Sequence, residues 1–272
     1  MRHWITSVFA TLFMMISGGA SAHEFWMRAE PLAPQVGSRA HLFIYFGEYF
    51  EGTQAGFLTS HSAVLRHYSA AGSEDLMGLV PSVNPIGQVP VRIGRAGTHL
   101  VAFDSHTATI TLPADKFNAY LHDEGLDSIV REREAAGTLG REGRERFRRH
   151  AKTLMQAGGK SDATFAIRTG QRLELVPLNN PLALPPGSPL RFQLLFDGKP
   201  LPDALLRAWH HNGDQTLSIR AISDNNGEVT YTLPYPGAWM ISTVHMIAAT
   251  ETDEVDWDSF WGSLLFEVPR LK

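Results

Sequence analysis

The chain has 272 residues, of which 43% are hydrophobic, 10% aromatic and 19% charged, and its net charge is −4. That is enough apolar material for one large domain or two modest ones, and a mildly acidic chain has no electrostatic footprint for nucleic acid. There are no cysteines, so disulfides and thiolate sites are excluded and any metal must be held by His, Asp, Glu or a free amine.

The first 22 residues have the parts of a cleavable secretory signal: a basic start at Arg2, an apolar stretch from Trp4 to Ile16, and small residues at Ala20-Ser21-Ala22. As a helix this stretch reaches only about 20 Å, short of a bilayer core of roughly 30 Å. No later segment is apolar enough to span a membrane. The expectation is a periplasmic protein with no integral membrane segment in its mature chain. Losing Arg2 leaves 23 cations against 28 anions, a net charge of −5.

Residues 23–112 read as strands and turns. "AHLFIYFGEYF" and "GTHLVAFDSHTATITL" place β-branched and aromatic residues in near alternation, closed by Gly and Pro. From Pro113 the period changes, and the spacing predicts a helical segment at about 114–158. "PADKFNAYLHDEG" puts Phe117, Tyr120 and Leu121 on one helical face, and Phe147, Ala151, Leu154 and Met155 follow at helical spacing before Gly158-Gly159. The arginines interleaved with glutamates there read as a solvated face with intrahelical ion pairs. From about residue 169 the chain returns to β, with strands separated by "DGKP", "SDNNG" and "PYPG". The fold expected is mainly β: an N-terminal β domain over 23–168 with a helical insertion, then an immunoglobulin-like (transthyretin-like) β-sandwich over 169–272. No internal repeat is evident.

Among the 12 histidines, His23 stands out because cleavage after Ala22 would make it the first mature residue. It would then offer two nitrogens, the α-amine and Nδ1, which close a chelate ring on a metal. An α-amine pKa of about 7.7–8.0 lets a metal displace its proton at neutral pH. One further imidazole would complete a T-shaped, three-nitrogen histidine brace of the kind that suits Cu(II) or Ni(II). His245, in "GAWMISTVHMIAA", is the best second ligand, because a strand holds an imidazole rigidly; the plain alternative is a core histidine on an apolar face. His41 and Glu48 would approach the N-terminus if the first strand pairs there. In the acidic loop "ETDEVDWDSFWGS", Asp256 or Asp258 is a candidate oxygen ligand or an acceptor orienting a ligand histidine, with Asp256 preferred. His210-His211 reads as a turn with weak metal binding, since adjacent strand residues face opposite ways. The hydrolase elbow, zinc-protease, phosphate-loop and cysteine-nucleophile patterns are all missing.

"AHEFWMRAEP", "YFGEYFEG", "KFNAYLHDEGL", "RFRRHAKTLMQAG", "LELVPLNNP", "LLFDGKPLPDALLRAW", "GAWMISTVHM" and "DWDSFWGSLLFEVP" together resemble an exported bacterial family. This is domain of unknown function 4198, often labelled a nickel-uptake substrate-specific component. The resemblance runs over essentially the whole mature chain. It implies a periplasmic protein serving nickel or cobalt acquisition, and maps its motifs onto His23, His245 and Asp256-Trp257. Because the chain has no permease segments, it would deliver or buffer Ni(II) or Co(II) for a separate inner- or outer-membrane transporter, with Cu(II) as the alternative ion. A copper-dependent oxidative enzyme using the same brace, and a metal-free sugar- or protein-binding sandwich, are the competing readings. No catalytic residue is assigned.

Overall fold

The computed structural model describes residues 24–213, 215–250, 252 and 254–270. The expected signal segment and His23 lie outside the described residues.

The fold is mainly β, as the sequence predicts. Its N-terminal half contains β1 (Glu24–Glu30), β2 (Arg39–Glu48), β3 (Glu51–Ala55), β4 (Ser62–Ser69), β5 (Gly72–Asp75), β6 (Val89–Arg92), β7 (Gly97–Ser105), β8 (Ala108–Leu112) and β9 (Gly143–Ala157). Two helices, α1 (Ala114–Asp123) and α2 (Asp127–Ala135), are inserted between β8 and β9. The C-terminal half is an immunoglobulin-like sandwich of β10 (Leu173–Pro177), β11 (Pro189–Phe196), β12 (Lys199–Pro200), β13 (Leu205–Asn212), β14 (Gln215–Ile222), β15 (Glu228–Thr232), β16 (Gly237–Ala248) and β17 (Trp257–Val268).

A central nine-stranded sheet runs β14-β13-β16-β17-β9-β7-β4-β5, with β8 added beside β9. One face carries the sheet of β1, β2, β3 and β6, packed through Trp26, Met27, Leu42, Val101 and Phe103. The other carries β10, β11, β12 and β15, packed through Phe192, Trp239, Ile241 and Phe266. The helices cover Val244, Met246 and Trp257 with Phe117, Tyr120 and Leu121.

The two halves repeat one connectivity. β2 pairs with β1, β3 and β6, just as β11 pairs with β10, β12 and β15. The hairpin β4–β5 and the pairs β4–β7 and β7–β9 correspond to β13–β14, β13–β16 and β16–β17. Equivalent glycines make equivalent bonds: Gly37 N–H donates to Ile93 O at 2.7 Å, and Gly187 N–H to Leu233 O at 2.7 Å. The two last strands, β9 and β17, pair in parallel, so the sheet order reads the same from either edge. A pseudo-two-fold along those strands relates the halves and exchanges the sheet faces, which explains why their covering sheets lie on opposite sides. This internal repeat is absent from the sequence reading because the halves share a pattern of burial rather than residues.

The helical expectation holds over α1, whose Phe117, Tyr120 and Leu121 are buried together, and fails over residues 143–157. That stretch is β9, buried on both faces because both halves pack on it. A strand covered on both sides loses its two-residue alternation, and chance spacing of apolar residues then mimics a helix. Its arginines do not pair along a helix. Arg144 and Arg146 instead grip Asp256 and Asp258 at the end of the neighbouring β17.

Candidate functional site

A cleft of about 710 Å³ opens where β1 begins, between the two halves. Its floor is the hairpin of β13 and β14. Arg207, Trp209 and His211 stand on one face of β13, opposite Arg220, Ser218 and Thr216. The β2–β3 turn overhangs this floor with Glu48, Tyr49 and Glu51, Glu24 enters from the side, and Asp123 and Glu124 close the wall at the end of α1.

The turn is tight. Glu48 pairs with Glu51, leaving Tyr49 and Phe50 as its two central residues with φ of 56° and 62°. Asn and Gly ordinarily occupy such positions, so two aromatic residues there store strain. Packing holds them: Phe50 lies edge-on to Trp26 at 5.5 Å, and Tyr49 lies edge-on to Trp209 at 6.0 Å. Trp209 is itself fixed by an Nε1–H bond to Ser242 Oγ at 2.8 Å.

Five carboxyl groups, Glu24, Glu48, Glu51, Asp123 and Glu124, face two guanidiniums, Arg207 and Arg220. Arg207 Nη1 donates to Glu124 Oε2 at 2.5 Å with both side chains almost fully buried. Glu24 has no ion-pair partner among the described residues. Burial and the neighbouring Glu124 push its pKa up to about 8, against the pull of Arg207 and of the Glu24 and Tyr49 N–H groups. Burial likewise raises the pKa of Glu124 despite Arg207. His211 reaches the rim, with Nδ1 3.3 Å from Glu51 Oε1.

A family profile described as a domain of unknown function, DUF4198, matches residues 20–247. The chain belongs to the DUF4198 family. No curated protein matches it in sequence. Among solved structures it is similar to the tetra-tandem repeat in the extending region of a large adhesion protein, at 10% identity and a TM-score of 0.24, covering 92% of this chain and 50% of that one. It is also similar to the native conformation of E. coli alpha-2-macroglobulin, at 10% identity and a TM-score of 0.16, covering 88% of this chain and 16% of that one. The chain thus spans half of the first and a sixth of the second, and both overlays are too distant to bear on function.

The structure of this DUF4198 protein separates the ligands named from sequence. Glu48 lines the cleft, beside the residue that follows His23. His41 does not: the antiparallel register sets Gly47 opposite Glu24 and His41 opposite Glu30, at the far end of β1, about 20 Å away. His41 lines a second cleft with Arg28, Glu30 and Glu267. His245 points from the other face of the central sheet, the face of Trp239 and Ile241, with its ring 4.5 Å from that of Phe196. Asp256 is chelated by Arg144, at 3.1 Å from Nε and 2.7 Å from Nη2, and this guanidinium holds its carboxyl below the usual range. Among the described residues no three His, Asp or Glu side chains form a ready-made metal cluster. Sequence reading missed Glu24, Glu51, Glu124 and His211. The signal for His211 was present, since its own alternation sets it on the Arg207–Trp209 face of β13 while His210 turns inward onto Trp239.

Proposed function

We propose that this DUF4198 protein is an exported, periplasmic divalent-metal-binding protein for Ni(II) or Co(II), with Cu(II) as a competing ion, held at the head of the mature chain. The α-amine and imidazole of His23 would supply nitrogen ligands, and the cleft would supply carboxylate oxygen from Glu48, with Glu51 adding negative field and Glu24 gaining its charge only as a bound ion displaces its proton. The observation that carries this reading is the entry of Glu24, the residue bonded to His23, into a cleft where Glu48, Glu51, Asp123 and Glu124 already face only two guanidiniums. A cation gains from such a field, most strongly where low-dielectric walls focus it. Glu48, His211 and Glu51 are fixed by strands and a strained turn, which is how a site is kept in register. No helix among the described residues is long and apolar enough to cross a membrane, so a separate transporter would receive the ion.

The test is calorimetric titration of Ni(II) into two preparations, one beginning at a free His23 and one carrying an additional N-terminal Met. The authentic chain should bind one ion, the extended chain at least about tenfold more weakly, since a chelate nitrogen is lost. Glu48→Gln should weaken binding further. Equal affinity in the two preparations, or no binding in either, overturns the reading.

A further inference from the structure

A second pocket, of about 420 Å³, lies at the opposite edge of the central sheet, under the β4–β5 hairpin. Its lining includes His67, His99, Glu74, Arg92 and Arg95. Behind it two histidines form a directional relay. His99 Nε2 is 3.1 Å from Arg95 O, and a carbonyl only accepts, so that nitrogen carries the proton. His99 Nδ1 is therefore an acceptor, and His67 Nε2, 2.8 Å away, donates to it. The remaining nitrogen, His67 Nδ1, is left as a lone pair. Its side chain is only 7% exposed, and its nearest charged neighbour, Glu74 Oε2, is 3.9 Å off, beyond hydrogen-bond reach.

We propose that this pocket binds a small zwitterion of amino-acid type, its ammonium taken by His67 Nδ1 and Glu74 and its carboxylate by Arg92 and Arg95. An ammonium nitrogen about 2.9 Å from both acceptors subtends an angle of about 85° across that gap, within reach of two N–H groups on one nitrogen. A divalent metal at about 2.1 Å from both would need an angle of about 135°, too wide for tetrahedral or octahedral ligands. Two guanidiniums at the rim also oppose a bare cation. Neither Arg92 nor Arg95 has a carboxylate partner among the described residues, so both are available to an incoming one. Burial above all holds the His67 pKa down to about 4, so with His99 neutral Nδ1 stays an acceptor at neutral pH. The site shares no residue with the carboxylate cleft, and the two assignments stand or fall separately.

The experiment follows imidazole resonances of the 15N-histidine-labelled chain during titration with glycine and with L-alanine. Glycinamide lacks the carboxylate and acetate lacks the ammonium; these are the controls. Saturable movement of the His67 signal by the amino acids, with both controls about tenfold weaker or worse, is the expected result. Glu74→Gln and Arg95→Gln should each weaken the amino acids by a similar factor. Glu74 is exposed, so this variant tests the site without disturbing the core. No movement at millimolar amino acid, equal response to either control, or movement with Zn(II) alone overturns the assignment.

Discussion

Lys152 Nζ lies 2.5 Å from Glu174 Oε1 with both side chains 2% exposed, and this ion pair ties β9 of one half to β10 of the other. Lys152 also donates to Leu175 O, while Glu174 accepts from the Thr169 and Gly170 backbone. Breaking one side of a buried pair leaves an uncompensated charge. Lys152→Met should lower stability by about 3–5 kcal/mol, read from the urea midpoint. Adding Glu174→Gln, which keeps an acceptor for Thr169, should recover much of the loss. A single variant as stable as the parent would mean that the pair does not join the halves.

His245 should contribute to acid stability, alongside His67, which burial shifts in the same direction. Burial pushes the His245 pKa down to about 4, with Asp197 pulling upward and Arg172 downward. The unfolded chain therefore takes up a proton near pH 6.5 that the folded chain refuses until about pH 4. Stability is intact above pH 6.5 and falls as pH drops through that window, by on the order of 3 kcal/mol in all. His245→Gln should remove its share of this acid limb in urea titrations at stepped pH, leaving the share of His67. The same variant, and likewise His41→Ala and Asp256→Asn, should leave the Ni(II) titration unchanged, because none of the three side chains lines the cleft. Loss of Ni(II) binding in His245→Gln would show that the ion is held elsewhere than proposed.

Gly47 faces Gly52 across the β2–β3 pair, and the two backbones approach so closely that a Cβ on Gly47 would sit 2.0 Å from Glu51 O. Backbone cannot yield as a side chain does. Gly47→Ala should part the strands and cost a few kcal/mol, displacing Glu48, Tyr49 and Glu51 together. Thermal denaturation and Ni(II) titration of one sample check both effects. If affinity survives a large fall in melting temperature, the turn does not organise the site.

Local chemistry made most of the strands, α1 and the sandwich class readable, because alternation, turn residues and a Pro start each act within a few positions. β9 was not readable, since what makes it a strand is burial by two distant sheets. The candidate site divides in the same way. Glu48 was found by supposing that the first strand pairs with its own, as it does, whereas Glu124 and His211 join the cleft only through pairing of more distant elements. His245 misled because an imidazole on an apolar strand looks the same whether it faces a metal or, as here, the ring of Phe196. The nearer histidine, His211, sat beside a turn and was discounted with its neighbour.

The sharpest test of the cleft is Arg207, the cation paired with Glu124 and felt by Glu24. Arg207→Met leaves the buried Glu124 carboxylate without its guanidinium, and should cost about 3–5 kcal/mol in the metal-free chain. Arg207→Lys, which keeps the charge but loses the fork, should recover only part of it. An ion bound among the cleft's carboxyl groups would replace the missing positive charge. Ni(II) should therefore raise the melting temperature of Arg207→Met more than that of the parent at equal ion concentration, because binding to the folded state alone stabilises by mass action, about 2.7 kcal/mol at a hundred times Kd. Equal shifts in the two proteins would place the ion away from Glu24 and Glu124 and leave the acidic cleft without its assigned ligand.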